Sequence, residues 1–417
     1  MKVKRTEQIY IGKDENISRL CHLSKNLYNQ TNYILRNQFI NHEKMTGYNK
    51  LAKQFSIPSD IEKYNNYQKL PAQTAQWTIK KMKQAWSSFF EAMKSWKKQP
   101  ERFLGMPKPP KYKEKNGEFM LIFTNQQCHM ENGILKFPKI MELEVKTRLD
   151  NMDLREVRII PQGTGYTVEI VYEKEIMDFT AEKPRRIMGI DIGVRNIVTI
   201  GDSISSEGIA VRGGILKSIN QFFNKEYAGL KSISDRQIGN RQSTQKEKHL
   251  FMKRNRMLKD IMHKLSMAIV YYAESKNIDT IVIGHNDGWK QEVNMGKRNN
   301  QNFVQIPFNT LIELIRYKAE ERGINVIIQE ESHTSRCSFL DDESIEHHDI
   351  YMGKRIRRGV FRSKNGILIH ADLQAVYNII KKAVPEAFVN GIEGIGLYPR
   401  SLSIDQMIKM ITSKGGC

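Results

Sequence analysis

The chain has 417 residues, with 66 Lys and Arg against 46 Asp and Glu, a formal net charge of +20. Its 40% hydrophobic content is that of a folded protein, and the length allows two or three domains with a large core. The charge excess points to a polyanionic partner, nucleic acid ahead of a membrane: there is no 18-residue apolar run, and the start, Met1 to Glu7, is too polar for a signal peptide. The four cysteines, Cys21, Cys128, Cys337 and Cys417, form no CxxC pair and suit a reducing cytoplasm.

Lys2 to Ile11 alternates as a short strand, and helical segments follow from about Ile17 to Trp96. The clearest begins at Leu70-Pro-Ala-Gln-Thr, with Pro71 suited to a first helical turn. Ala75, Ile79, Met82, Trp86, Phe89, Phe90 and Met93 then form one apolar face. Lysines including Lys80 and Lys81 line other faces, either as solvated surface or as a grip on a phosphate backbone. Gln99 to Lys115 is a Pro- and Lys-rich connector. Phe119 to Glu175 reads as short strands of a small barrel or sandwich, which the N-terminal strand joins with the helical module inserted between.

After Lys183 the pattern changes to strands separated by long helices. Strands are expected at 187–192, 196–201, 208–213, 279–284 and 324–330, with 220–276 helical. The arm at 241–259 carries cations on several faces, and Arg241, Lys253, Arg254 and Arg256 are candidate phosphate contacts. Trp289 is placed either to stack on a base or to plug the core, with Lys297 and Arg298 in a polar stretch beside it. Residues 333–368 are charged and irregular, as in an insertion.

Asp191 stands in an apolar strand, where a carboxylate is costly unless something positive lies against it. Asp372 opens an amphipathic helix far down the chain, where a plain N-cap is the alternative reading. Two-metal phosphodiester cleavage needs at least three oxygen donors around ions roughly 3.5–4 Å apart, and Mg²⁺ or Mn²⁺ prefers such ligands. RNase H-like nucleases assemble their cluster from a first-strand aspartate and a helix-start aspartate in this order.

Gly189-Ile-Asp-Ile-Gly-Val-Arg-Asn, Thr334-Ser-x-Cys and Ala371-Asp-x-x-Ala-x-x-Asn-Ile resemble the TnpB family, transposon-encoded RNA-guided nucleases related to Fanzor proteins and type V CRISPR effectors. The Leu70 helix and the Lys-Pro-Pro-Lys-Tyr-Lys connector are similar to that family too. The resemblance implies an α/β multidomain protein: a wedge-like β-barrel at 1–15 and 110–183, a helical recognition domain at 16–109, and an RNase H-like RuvC nuclease domain at 184–417 with an insertion at 333–368. It also implies a guide RNA and a double-stranded DNA target carrying an adjacent short motif.

Two departures stand out. Where the family places its middle glutamate, at the end of Ile281-Val-Ile, this chain has Gly284. The next strand ends in Glu330 and Glu331, of which at most one faces Asp191 if the strand is regular. Glu331, three residues before Thr334, matches a spacing of some Fanzor-like relatives, with Glu330 the alternative; Asp287 sits in a turn-like context. The expected catalytic and metal set is therefore Asp191, Glu331 and Asp372 around two Mg²⁺ or Mn²⁺ ions. Second, of the two CxxC pairs of the family's zinc ribbon only Cys337 remains, with His347 and His348 nearby, so structural zinc is not expected. Arg355, Arg357, Arg358 and Arg362, just before Asp372, are candidates for holding a displaced strand over the acids. The reading is an RNA-guided DNA endonuclease; a nuclease-inactive RNA-guided repressor and an acidic-triad transposase are the alternatives.

Overall fold

The computed structural model describes residues 1–150, 152–176, 183–238, 243–286, 305–389 and 395–412. The chain divides into two compact units, Met1–Glu175 and Ile176–Cys417.

The first unit begins with β1 (Lys2–Ile11), whose residues alternate between half-buried and exposed. Three helices follow: α1 (Glu15–Ile40), α2 (Tyr48–Ser56) and α3 (Ala72–Lys98). Asp14 caps α1 by accepting from Ile17 N at 2.8 Å, and Pro71 immediately precedes α3. Then come β2 (Leu121–Thr124), β3 (His129–Glu131), β4 (Ile134–Lys136), β5 (Glu144–Lys146), β6 (Asp153–Gln162) and β7 (Gly165–Glu175). The N-terminal strand does join the later ones, pairing antiparallel with β7 from Lys2↔Glu175 to Ile11↔Tyr166.

The sheet order β1-β7-β6-β2 has two free ends, and β3, β4 and β5 form a separate sheet. The expected barrel is thus an open four-stranded sheet beside a three-stranded one among the described residues. Closure depends on hydrogen bonds between strand edges, which period-2 patterning does not encode. Trp86, Ile79 and Met82 of α3, Leu20 and Leu27 of α1, and Val168 and Ile170 of β7 belong to one core, so helices and sheet are not separately cored.

The second unit is built on a six-stranded sheet of order β12-β11-β8-β9-β10-β16. Its strands are β8 (Ile187–Asp191), β9 (Asn196–Asp202), β10 (Ile209–Arg212), β11 (Thr280–Gly284), β12 (Asn325–Gln329) and, after the three short strands given below, β16 (Arg400–Ser403). The β8–β9–β10 run is antiparallel, while β11 lies parallel to both β8 and β12. The stretch read as one helical region is two helices, α4 (Gly214–Ile238) and α5 (Gln245–Ser275), the latter opened by a Thr244–Glu247 capping box. α6 (Phe308–Glu320) precedes β12. β13 (Lys354–Arg357), β14 (Val360–Arg362) and β15 (Leu368–His370) form a small sheet leading into α7 (Ala371–Ala383), and α8 (Ile404–Thr412) follows β16.

The central strands read as unbroken apolar runs because both faces are covered. Met188, Ile190, Ile281 and Ile283 share a core with Met262, Leu265 and Ile269 of α5 and Leu311 and Ile315 of α6. Ile187 and Val282 face the other way, into the core formed by Leu373, Val376, Ile379 and Ile380 of α7. Alternation therefore puts Asp191 and Gly284 on the α7 side. The helix lies unusually close there. A Cβ on Gly189 would sit 2.7 Å from Ile380 Cγ1, and one on Gly201 would sit 2.8 Å from Leu373 Cδ1.

Candidate active site

Asp191 ends β8, and Ile283↔Ile190 pairing sets Gly284, the last residue of β11, beside it. On the other flank Gly284 pairs with Gln329, the last residue of β12. Two residues on, Glu331 reaches back over Gly284. A Cβ at position 284 would lie 2.9 Å from Glu331 Cδ, overlap its Oε1, and press on Ile379 Cδ1 at 2.6 Å. Only glycine leaves room for this carboxylate. The Glu331 backbone is held by its N–H donating to Asn286 Oδ1 at 2.8 Å.

Glu330 and Glu331 have opposite environments. Glu330 is exposed and pairs with Lys382 Nζ at 2.7 Å, and it also accepts from Ser332 N at 2.9 Å. Those hydrogen bonds, the Lys382 bond first, draw its carboxyl down to about 2. Glu331 is largely buried, and burial followed by the Glu330 charge pushes it up to about 7. Its Oε1 is buried without a hydrogen-bond partner. Asp191 is raised well above the usual carboxylate range by burial, then by the charges of Glu331 and Asp372; Arg355 and the Ile192 N–H oppose this.

Asp372 lies in the first turn of α7, but it is not the cap. His370 occupies that position, its Nδ1 accepting from Asp372 N at 3.3 Å. The Asp372 carboxylate is free to face the strands, where Oδ2 accepts from Asn196 Nδ2 at 2.9 Å and Oδ1 lies 3.9 Å from Arg355 Nη2. Asn196 is a site residue the sequence reading missed, although it closes the Gly189-to-Asn196 motif. Asp191 and Asp372 line a cleft of about 740 Å³ together with Arg195, Arg212, Arg355, Arg357 and Arg358. Asp191 and Glu331 couple across the end of β11, and Asp191 and Asp372 across the α7 interface.

The donors are carboxylate oxygens, the kind Mg²⁺ or Mn²⁺ takes, and one of them is a buried oxygen lacking a partner. Among the described residues, however, no three His, Cys, Asp or Glu side chains are gathered tightly enough to hold an ion as they stand. Asp372 is turned to Asn196 and Arg355 instead.

The remaining cations divide. Arg355, Arg357 and Arg358 stand at the cleft, and Arg362 is exposed on β14. Lys253 and Arg256 are exposed on α5. Arg254, expected to contact phosphate, is instead committed internally: it donates to Asn220 Oδ1 at 2.8 Å and Gln305 O at 3.0 Å, and its guanidinium lies 5.0 Å from the Phe223 ring. It is half-buried, so its donors must be satisfied within the protein. In the first unit, Lys80 sits over the rings of Trp77 and Tyr48, and Lys81 donates to Gln84 Oε1 at 3.3 Å. Arg241, Asp287, Trp289, Lys297 and Arg298 lie outside the described residues.

The 333–368 insertion is ordered by packing. Cys337 is buried, its carbonyl accepting from both Gln374 Nε2 and Asn378 Nδ2 of α7. Glu343 accepts from the backbone N–H groups of Ser338 and Met352. Phe339 packs against Tyr377 at 5.1 Å and Phe388 at 4.8 Å. His348 is engaged with Ser344, and His347 meets His333 edge-on.

Comparison with known proteins bears on this arrangement. Residues 169–290 match the family model OrfB_IS605, described as "Probable transposase", and residues 308–379 match the "Cas12f1-like, TNB domain" model. The TnpB-like protein ORF457 of Acidianus two-tailed virus is 26% identical over 412 residues, covering 89% of this chain and 84% of that protein. A Cas12f1–sgRNA–target DNA complex aligns at a TM-score of 0.50 and 12% identity over 87% of this chain and 81% of that one. CasPhi-2 (Cas12j) bound to crRNA aligns at 0.46 and 9% identity, over 92% and 98%. The Cas12f1 likeness shows a shared α/β fold. Two family models between residues 169 and 379 and a relative aligned along most of its length make the chain similar to TnpB-like proteins.

Proposed function

We propose that this protein is an RNA-guided DNA endonuclease of the TnpB type, cutting phosphodiesters at a RuvC site formed by Asp191, Glu331 and Asp372. The observation carrying this reading is the exchange between positions 284 and 331: the glycine vacates the space that the Glu331 carboxylate fills, beside Asp191. Guide RNA and target DNA are the inferred partners, as in the Cas12f1–sgRNA–target DNA complex. Among the described residues no helix is long and apolar enough to cross a membrane.

Mg²⁺ or Mn²⁺ held by the three acids would activate water and neutralise charge on the phosphate. The chain's own groups do the rest. Asn196 orients Asp372, and Asn286 fixes the Glu331 backbone. Arg357 and Arg358 bind backbone phosphates and position the strand in the cleft. The guide supplies sequence recognition by pairing.

A nuclease-inactive RNA-guided binder is the second reading, favoured by the acids not being gathered around an ion site. The test is to copurify and sequence the bound RNA, then incubate the complex with matching DNA and Mg²⁺. The first reading expects cutting that Glu331→Gln reduces by 10³-fold or more, on the order of losing a metal-activated nucleophile, with DNA binding retained. Binding without cutting across several divalent ions would assign the second.

A further inference from the structure

One contact is left over by a metal-binding role for the three acids. Arg355 places a permanent positive charge 3.9 Å from Asp372 Oδ1, while Asn196 occupies Oδ2 at 2.9 Å. Both oxygens of Asp372 therefore already face partners from within the chain. The same guanidinium offsets the upward push on Asp191 from its acidic neighbours. Arg355 is 52% exposed, so it is not locked in place. It stands on β13, where pairing with β14 shifts register between Arg355 and Arg357, and such an irregularity re-aims side chains. Arg357 and Arg358 line the same cleft, so a backbone phosphate drawn there arrives within the hairpin's cluster of guanidinium groups. Arginine's planar guanidinium fork matches two phosphate oxygens at once, and a guanidinium and a divalent cation compete for one carboxylate.

We propose that Arg355 is a latch on the acid cluster: it neutralises Asp372 in the protein free of nucleic acid and is drawn off by a backbone phosphate, so that cation binding and strand loading favour each other. The inference rests on the acids being a metal site, and it deepens that reading by giving the site a regulator. Linkage makes the effect reciprocal: the factor by which a bound phosphate raises cation affinity equals the factor by which a bound cation raises phosphate affinity. The chain without DNA then holds its cation weakly, and the cutting site is completed only when a strand lies in the cleft.

The test uses the full chain, stripped of metal and free of nucleic acid, titrated with Mn²⁺ alone while free Mn²⁺ is followed by electron paramagnetic resonance. Arg355→Gln is expected to bind Mn²⁺ on the order of tenfold more tightly than the unaltered chain. Lys364→Gln, which removes an exposed charge after β14, is expected to leave affinity unchanged. Thermal unfolding gives a second readout: without metal Arg355→Gln melts below the unaltered chain, and saturating Mn²⁺ closes the gap. Equal or weaker Mn²⁺ binding by Arg355→Gln overturns the latch. If Asp191→Asn meanwhile loses the Mn²⁺ that both other chains bind, the metal reading stands and the latch alone falls. No saturable Mn²⁺ binding by any of these chains overturns both.

Discussion

The ends of β11 and β12 and the 333–368 insertion both depart from the residue pattern that the TnpB resemblance implies, and they differ in how. At the strand ends an acid is missing from one backbone position and a neighbouring position supplies one to the same space. In the insertion only Cys337 remains of the cysteines that the resemblance implies for a zinc ribbon, and among the described residues no group of His, Cys, Asp or Glu is gathered to hold a metal. The Glu343 carboxylate, two amides of α7 and a Phe339–Tyr377–Phe388 cluster hold the segment instead. A carboxylate needed at one point in space can arrive from a neighbouring strand, provided the original position shrinks. A structural metal is needed only for the fold it holds, so apolar packing and hydrogen bonds can replace it.

This comparison is open to attack at both ends. The largest effect is expected from Gly284→Glu, which puts two glutamates in one space. Cleavage should fall at least 100-fold and the chain should lose stability on the scale of overpacking, about 1–3 kcal/mol. Gly284→Glu with Glu331→Ala should regain stability and part of the cleavage. A double variant no better than the single one would show that the space is not shared. In the insertion, Phe339→Ala should cost about 3–5 kcal/mol in chemical unfolding, as for other buried aromatic truncations. A zinc chelator should leave that unfolding curve unmoved; a shift would mean a metal takes part after all.

The pH dependence gives a smaller signal at the strand ends. Glu331 in the folded chain is pushed up to about 7, so folding favours its protonated form. Metal-free stability from this group is complete below the unfolded carboxylate range near 4.3 and is lost as pH rises through about 7, by up to roughly 3 kcal/mol. Melting in a chelator across that window should fall with pH, and Glu331→Gln should flatten the decline. Smallest is the contrast on α5. Lys253→Gln should lower nucleic-acid affinity slightly and reduce the salt slope by about one. Arg254→Gln should instead lower the melting temperature, because Asn220 and the Gln305 carbonyl lose a buried donor.

Five of the six strands of this sheet were legible, the central ones because they are buried on both faces and read as unbroken apolar runs; β16, short and mostly exposed, was not expected. Residues 187–192, 279–284 and 324–330 fall within a residue or two of β8, β11 and β12. Asp191 stood out as an acid in such a run, and Asp372 as one opening an amphipathic helix. Alternation allowed one of Glu330 and Glu331 to face inward without saying which. The choice comes from Lys382, 52 residues on from Glu330, and from the gap at Gly284, neither of which is local. Asn196 went unassigned because an asparagine after a turn is common, and its partner is 176 residues away. Arg254 looked like its exposed neighbours because charge alone does not report burial. For the first unit the strands alone left a barrel or a sandwich open, and closure was not legible because edge pairing is decided between distant segments.

Gly189 and Gly201 act together as a ruler. Because neither carries a side chain, α7 rests directly on the backbones of β8 and β9, and the height of that helix sets how far Asp372 stands from Asp191. A single methyl at either glycine would act as a shim, tilting the helix and widening the gap between two acids that no other substitution had touched. The spacing of the chemistry is in this sense machined into the sheet by atoms that are not there.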